Sequence, residues 1–207
     1  MPKPLTAQSL LRAVRRLAAT DADLAWILKT FGPPPLWQRT TGFATLVHII
    51  LEQQVSLASA RAAFDRLGRA VTLISPEHFL TLSDAELKLI GFSRQKMRYC
   101  RLLAQALLDG QLDLTEVERM NDDAARAALM QITGIGHWTV DIYLLMALRR
   151  PDVWPKGDLA LAVAMQRLRK LASRPSPDEL AAMAENWRPH RAVAARMLWH
   201  YYLSTKA

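Results

Sequence analysis

Asp158 is the carboxylate of this chain whose setting best suits chemistry. It ends a loop that contains Pro155 and Gly157, and residues 159–171 then have the apolar spacing of a helix. An aspartate in that place can cap the helix by accepting a backbone N–H. A carboxylate fixed in this way can also stabilise a developing positive charge, or orient and deprotonate a water molecule. For a single loop aspartate the cap is the simpler interpretation, and spacing alone leaves both roles open.

A second set of residues could bind an anion. In segment 129–140 an apolar helical pattern ends, a Gly-Ile-Gly turn follows, and a new pattern begins near His137. Glycine permits positive φ and lets a phosphate approach the main chain, while free N–H groups at a helix start attract it. An ordinary corner between two helices is the alternative. The residues predicted to contact a nucleic-acid backbone are Thr133, Gly134, Ile135, Gly136, His137 and Thr139.

Composition narrows the function classes. Lys and Arg total 27 against 19 Asp and Glu, a net charge of +8, which favours a polyanion such as nucleic acid. An anionic membrane surface or simple solubility would explain the charge equally well. The single cysteine, Cys100, excludes a disulfide framework and a cysteine-ligated iron–sulfur cluster within the chain. No apolar run has the length of a membrane span or a signal peptide, so we expect a cytoplasmic protein without a membrane partner.

Nearly every segment has the periodicity of a helix. One pattern stops at Gly32 and the prolines that follow it, and segment 43–54 is apolar enough to pass for a buried strand. Its length and surroundings favour a buried helix. Helix starts are indicated at Ser75, Ser83, Asn121 and Ser176. We therefore predict an all-α fold of about ten short helices, with 1–207 as one domain.

Four blocks in this order carry a family resemblance. They are IILEQQVS at 49–56, LIGFSRQK at 89–96, the stretch from the Gly-Ile-Gly turn to Leu159, and WRPHR at 187–191 with Trp199 after it. Together they resemble the alkylbase branch of the helix–hairpin–helix DNA glycosylases, the 3-methyladenine DNA glycosylase II type. The resemblance implies a two-lobed helical fold with the active site in the cleft between the lobes, and a compact form without the N-terminal sheet domain of some relatives. The first forty residues match less clearly.

The resemblance also implies roles for individual residues. Asp158 matches the catalytic aspartate, which would stabilise the cationic sugar formed when an N-glycosidic bond breaks. Gln54 matches the wedge that fills the gap left by a flipped base. Trp138 and Trp199, with Asp141, are predicted to line the base pocket, where electron-rich rings suit a cationic alkylpurine. The simpler alternatives are a solvated Gln54, tryptophans in the core, and an ion pair between Asp141 and an arginine.

Trp138 bears on the type of reaction. Members of the superfamily that also cut the strand have a lysine after the hairpin, and Trp138 lacks that amine nucleophile. We therefore predict a monofunctional enzyme that removes alkylated purines, such as 3-methyladenine or 7-methylguanine, from double-stranded DNA and leaves an abasic site. The alternatives are a bifunctional glycosylase, an enzyme for oxidised or deaminated bases, and a catalytically silent helix–hairpin–helix DNA-binding module.

Cofactors and partners follow from the same resemblance. We expect no organic cofactor, since the chemistry needs none, and no iron–sulfur cluster, since the chain has a single cysteine. The carbonyls of Met130, Ile132 and Gly134 could hold a monovalent cation, Na⁺ or K⁺, as hairpins of this family do. The expected partner is double-stranded DNA with damaged bases, and the expected state is a monomer.

Some residues near the wedge depart from the family or have no assigned role. Glu52 occupies a position where a small residue is common, and Ile142 stands where one branch has an aromatic. Gln53 is predicted to brace its own turn. The cations of 94–98, Lys96 among them, are predicted to form a solvated face, with phosphate contact as the alternative.

Overall fold

The computed structural model describes residues 3–205, and within that range the protein is entirely helical. It contains thirteen α-helices and one 3-10 helix, with no strand in the described range. The α-helices are α1 (Ala7–Thr20), α2 (Ala22–Phe31), α3 (Phe43–Glu52), α4 (Leu57–Ala70), α5 (Pro76–Thr81), α6 (Asp84–Ile90), α7 (Arg94–Leu108), α8 (Leu114–Arg119), α9 (Asp122–Met130), α10 (His137–Met146), α11 (Leu159–Leu168), α12 (Pro177–Ala184) and α13 (Arg191–Ser204), and the 3-10 helix is Glu185–Trp187.

The chain divides into two compact units. The first is Arg39–Tyr143, and the second combines the segment that ends at Gln38 with the segment that begins at Leu144. The division at residue 143 falls inside α10. The hairpin region belongs to the first unit, and Asp158 belongs to the second.

Helix α3 forms the centre of the first unit. Its residues from Thr45 to Glu52 are buried except His48, and it packs against α4 and α7. Phe79 lies edge-on against Phe43 and Phe92 at centroid distances of 5.8 and 5.6 Å. Other elements enclose α3, so its residues are apolar on nearly all sides. Segment 43–54 therefore has the same pattern as a buried strand.

Helix α13 forms the centre of the second unit, where it packs against α1, α2 and α11. Its residue Arg196 is fully buried and donates to the carbonyls of Leu36, Ala192 and Leu145 at 2.8, 3.1 and 2.7 Å. Burial lowers the pKa of this guanidinium to about 10, so it remains charged at neutral pH. It ties α13 to two other chain segments by bonding their backbone acceptors.

Most helix boundaries are where the side chains predict them. Ser75, Ser83, Asn121 and Ser176 each cap their helix through the side-chain oxygen, which confirms all four predicted starts. Helix α2 ends at Phe31, and Gly32 caps its C-terminus. Two ends were predicted too late: α3 stops at Glu52 rather than 54, and α11 stops at Leu168 rather than 171. None of the helices in residues 3–205 combines the length and the apolar character that crossing a membrane requires.

Candidate functional site

The predicted hairpin is formed by α9, a turn, and α10. The N–H of Ile135 donates to the carbonyl of Ile132 at 3.0 Å, and both side chains are buried. The carbonyl of Gly136 then accepts from the N–H of Val140 at 3.0 Å, as the first bond of the second helix. The two isoleucines anchor the turn in the core, so its backbone has a defined conformation.

The two glycines of the turn have different reasons to be glycine. Gly134 has φ of +94°, and a Cβ added there would overlap the ring of Tyr99. Gly136 lies outside the positive-φ region, and a Cβ there would meet nothing within 4 Å. The fold therefore requires glycine at 134 and does not require it at 136. The open space beside Gly136 is available to a group from outside the chain, such as a phosphate.

The other predicted backbone contacts are only partly at the surface. Thr133 and His137 are exposed with Gly136, whereas Ile135 and Thr139 are buried. The hydroxyl of Thr139 accepts a hydrogen bond from Gln53 at 2.9 Å. The hydroxyl of Thr139 is therefore turned inward and engaged by Gln53, and contact of this residue with a DNA backbone stays a prediction.

The turn after α3 lies beside the hairpin. Gln53 donates its side-chain N–H to the carbonyl of Gly134 at 3.0 Å and to Thr139. Gln53 had been predicted to brace its own turn, but it braces the hairpin instead. Gln54 follows with φ of +57°, a left-handed conformation, and its side chain is exposed. An exposed amide at this point has the freedom that a wedge needs.

Asp158 is held in the second unit by two donors. Its Oδ1 accepts the backbone N–H of Leu161 at 3.0 Å, which caps α11, and the indole N–H of Trp199 at 3.1 Å. The Asp158 residue is buried, with 8% of its surface exposed. The structure thus brings together two residues predicted for the site, and it fixes a carboxylate in surroundings with little water.

A match to a protein-family model identifies the family of this chain. The model of the HhH-GPD superfamily of base excision DNA repair proteins matches residues 47–189, which include the α3 turn, the hairpin and Asp158. The chain belongs to the HhH-GPD superfamily.

Individual relatives agree with this membership. DNA-3-methyladenine glycosylase 1 of Schizosaccharomyces pombe is 27% identical over 92% of this chain and 87% of its own length. The Bacillus subtilis protein YfjP is 28% identical over 87% of this chain, which spans 66% of that relative's length. A solved structure of a 3-methyladenine DNA glycosylase from S. pombe, in complex with abasic DNA, has a TM-score of 0.85 at 25% identity, covering 95% of this chain and 97% of the other. The all-α fold predicted from the sequence is confirmed.

Two further residues of this HhH-GPD protein were predicted for the base pocket. Trp138 is half-buried near the start of α10. Asp141 is buried, and its Oδ1 accepts from Nε of Arg126 at 2.9 Å. The ion pair, which was the alternative for Asp141, is therefore formed, and it ties α9 to α10. A pocket role for either residue stays a prediction.

The proposed cation site consists of main-chain oxygens. The carbonyl of Ile132 accepts from Ile135 and that of Gly134 accepts from Gln53, so each already has one hydrogen bond. A carbonyl oxygen has a second lone pair, and hard oxygen donors suit Na⁺ or K⁺, so these residues fit such an ion. The site stays a prediction. Across residues 3–205 no three His, Cys, Asp or Glu side chains are grouped to bind a metal.

Sequence analysis missed several residues that shape this region. Arg39 binds both carboxylate oxygens of Glu52, and Tyr99 lies under Gly134. Lys96 was predicted to be solvated, but its ammonium donates to the carbonyl of Leu51, and burial lowers its pKa. Contacts across 13 to 45 residues leave no local pattern. The only available signal was Glu52 itself, an acid inside an apolar helix.

Proposed function

We propose that this HhH-GPD protein is a monofunctional DNA glycosylase that excises alkylated purines from double-stranded DNA and leaves an abasic site. The observation that carries the proposal is the buried Asp158 carboxylate, which Leu161 and Trp199 hold. Asp158 itself lies within the region that the family model matches. The names of the S. pombe relatives support the substrate class.

Asp158 would act on charge that develops in the sugar. As the N-glycosidic bond breaks, positive charge accumulates on the sugar ring, and a fixed carboxylate stabilises it more strongly where water is scarce. The same carboxylate can orient the attacking water. An alkylated purine that carries positive charge is already a good leaving group, so a strong acid is not needed on the base side.

Two other proposed roles concern access to the base. Gln54 would enter the duplex as the wedge while the damaged base rotates out. The open backbone at Gly136 and the start of α10 would hold a phosphate of the DNA strand. The protein would act as a monomer, which light scattering of the free protein can test.

Asp158→Asn is the variant that tests the carboxylate. Asparagine caps a helix about as well as aspartate and keeps a side-chain oxygen for Leu161 and Trp199, so the change removes mainly the charge. We expect release of methylated bases from alkylated duplex DNA to fall by about 100-fold or more, the range typical for one preorganised group.

Asp21→Asn is the matched control. Asp21 also caps a helix, through the N–H of Leu24 at 3.0 Å, and also accepts an indole N–H, from Trp187 at 2.8 Å. Its substitution should leave base release unchanged. If a folded wild type binds DNA and releases no methylated base, the protein is a DNA-binding module or acts on another lesion, and oxidised and deaminated bases are the next substrates.

The monofunctional part has a separate test. A lyase forms a Schiff base with the sugar, and borohydride would trap that adduct as a covalent protein–DNA complex. Trp138 offers no amine, so we expect no trapped complex and no strand cleavage beyond spontaneous loss at abasic sites. A complex that is trapped as fast as the wild type releases bases would identify a bifunctional enzyme, in which an amine other than residue 138 forms the Schiff base.

A further inference from the structure

The end of helix α3 is held by three polar links from three other segments of its unit. Lys96 of α7 donates to the carbonyl of Leu51 at 2.6 Å. Arg39, before α3, binds the two carboxylate oxygens of Glu52 at 2.6 and 3.0 Å. Gln53 donates to the hairpin. Three consecutive residues are therefore each bound by a different segment of the chain.

Gln54 comes directly after these three residues. Its φ of +57° is a conformation that residues other than glycine adopt rarely and that persists only where the surroundings impose it. Its side chain is exposed, so the conformation does not come from burial of that side chain. The fixed end of α3, directly before Gln54, constrains this backbone.

Glu52 is the least expected member of this arrangement. It is 8% exposed, and it lies at the C-terminal end of a helix, where the helix dipole disfavours an acid. His48 lies 3.7 Å from the same carboxylate, but burial lowers the pKa of that imidazole, so it adds little charge. The Arg39 guanidinium is the partner that compensates, through a paired geometry that lysine cannot reproduce.

Stability alone does not explain such a pair. Apolar residues of similar size in place of a buried ion pair are often as stable or more so. A paired fork differs from apolar packing in fixing orientation as well as position. The ion pair stands two residues before the exposed Gln54, where orientation of the chain decides where that amide points.

We propose that the Arg39–Glu52 ion pair is a positioning device for Gln54, which sets the backbone from which that side chain enters the DNA duplex. The inference rests on the proposed function and adds to it two positioning residues that touch neither the sugar nor the damaged base. Lys96 and Gln53 complete the same support.

The test compares a paired lesion, which must be extruded from the duplex, with a lesion that has no pairing partner. Glu52→Gln keeps the shape of the side chain and removes its charge, and Arg39→Lys keeps the charge and removes the fork. Single-turnover release is measured for one methylated purine placed opposite its pairing base or opposite an abasic-site analogue. We expect losses on the order of 10- to 100-fold for the paired lesion, as misplacement of a reacting group commonly causes, and a much smaller loss for the unpaired lesion, whose extrusion costs less.

An extrusion signal gives a second readout. 2-Aminopurine beside the lesion becomes brighter when the stack opens, and that signal should weaken in both variants while binding of undamaged duplex stays the same. Asp65→Asn is the matched control, because it breaks the exposed Arg61–Asp65 pair of the same unit. It should change neither release nor fluorescence.

A double variant separates two effects of the single changes: loss of the positioning of Gln54, and the cost of a buried charge that has lost its partner. Arg39→Met with Glu52→Leu removes both charges and should fold, as a melting curve can check. Continued loss on the paired lesion alone supports the proposal. Restored activity in the double variant, equal losses on both lesions, or full paired-lesion activity in a folded Glu52→Gln overturns it. If wild type releases no base at all, the proposed function fails, and the 2-aminopurine comparison still decides the inference by itself.

Discussion

At the scale of residues, Asp158 and Asp21 show how little a local device says about function. Both aspartates cap a helix and both accept an indole N–H, from Trp199 and Trp187 respectively. They differ in that Asp158 takes both bonds on Oδ1, while Asp21 divides them between its two oxygens. The cap at Asp158 could be predicted from the loop and helix that meet there. The bond to Trp199, 41 residues away, could not, because it depends on how α13 packs.

Trp199→Phe tests whether this indole matters for the carboxylate or only for the fold. Phenylalanine keeps an aromatic ring and loses the N–H that Asp158 accepts at 3.1 Å. We expect stability to fall by about 1.5–3 kcal/mol, typical for a bond to a charged group, and base release to fall as well, because the carboxylate is less firmly held. Urea unfolding and single-turnover release measure the two effects.

Trp187→Phe is the control, since it removes the equivalent bond to Asp21. It should lower stability and leave release from the folded enzyme unchanged. Equal release by both variants would mean that the Trp199 bond serves stability only.

His48 is a residue whose effect should depend on pH. Burial lowers the pKa of its imidazole, more than Glu52 raises it, and its ring stacks on Phe64 at 4.3 Å. The unfolded chain therefore binds a proton more readily than the folded protein, so this group's contribution to stability is present at neutral pH and is lost as pH falls below about 6.5. His48→Phe keeps the stacking and cannot titrate.

The measurement is urea unfolding of both proteins between about pH 7.5 and 5. Wild type should lose more stability than His48→Phe over this range. Parallel curves would show that the imidazole has the same proton affinity in both states.

At the scale of elements, the predictable parts are those with a local cause. Helix starts at Ser75 and Ser176 follow from a hydroxyl that bonds the next turn, and this bond needs no tertiary contact. The hairpin could be located because its glycines and isoleucines are adjacent. The end of α3 was placed two residues late, because the contacts of Gln53 and Glu52 with distant segments, and not any breaker residue, terminate the helix.

The two hairpin glycines give a prediction for this element. Gly134→Ala should destabilise the protein by well over 1 kcal/mol, since its backbone is left-handed and its Cβ would overlap Tyr99. Gly136→Ala has room, and its cost should stay below about 1 kcal/mol, because alanine is poorer than glycine just before a helix. A methyl group at Gly136 should nevertheless weaken binding to undamaged duplex DNA, because it stands where a phosphate would approach the main chain.

Unfolding curves and fluorescence anisotropy with labelled duplex separate the two effects. Tyr99→Ala combined with Gly134→Ala should recover part of the lost stability, because the clash is removed. Unchanged DNA affinity in Gly136→Ala would mean that the open space at this turn is not a phosphate site.

At the scale of the whole molecule, the net charge of +8 predicted a polyanionic partner but not which cations meet it. The structure separates cations that are paired with carboxylates from those that are exposed, and many arginines of the described residues belong to the paired group. Arg94 and Arg98 are exposed on α7, the helix whose Tyr99 lies against the hairpin glycine. Pairing of this kind depends on the fold, so no count of charges along the sequence could reveal it. The paired arginines are Arg39, Arg61, Arg101, Arg126, Arg169, Arg188 and Arg191.

Salt dependence of DNA binding tests which cations reach phosphate. Each phosphate that a protein neutralises in duplex DNA contributes about −0.9 to the slope of log affinity against log salt. We expect Arg98→Gln to weaken binding of undamaged duplex and to reduce the size of the slope by about 1, because it removes one released counterion. Arg61→Gln is the control: Arg61 is exposed in the same unit, but Asp65 at 2.8 Å already neutralises it, so the slope should change less. Equal slopes for Arg98→Gln and wild type would mean that this face of α7 is simply solvated, and the hairpin backbone would then have to supply the phosphate contacts of its unit without help from this cation.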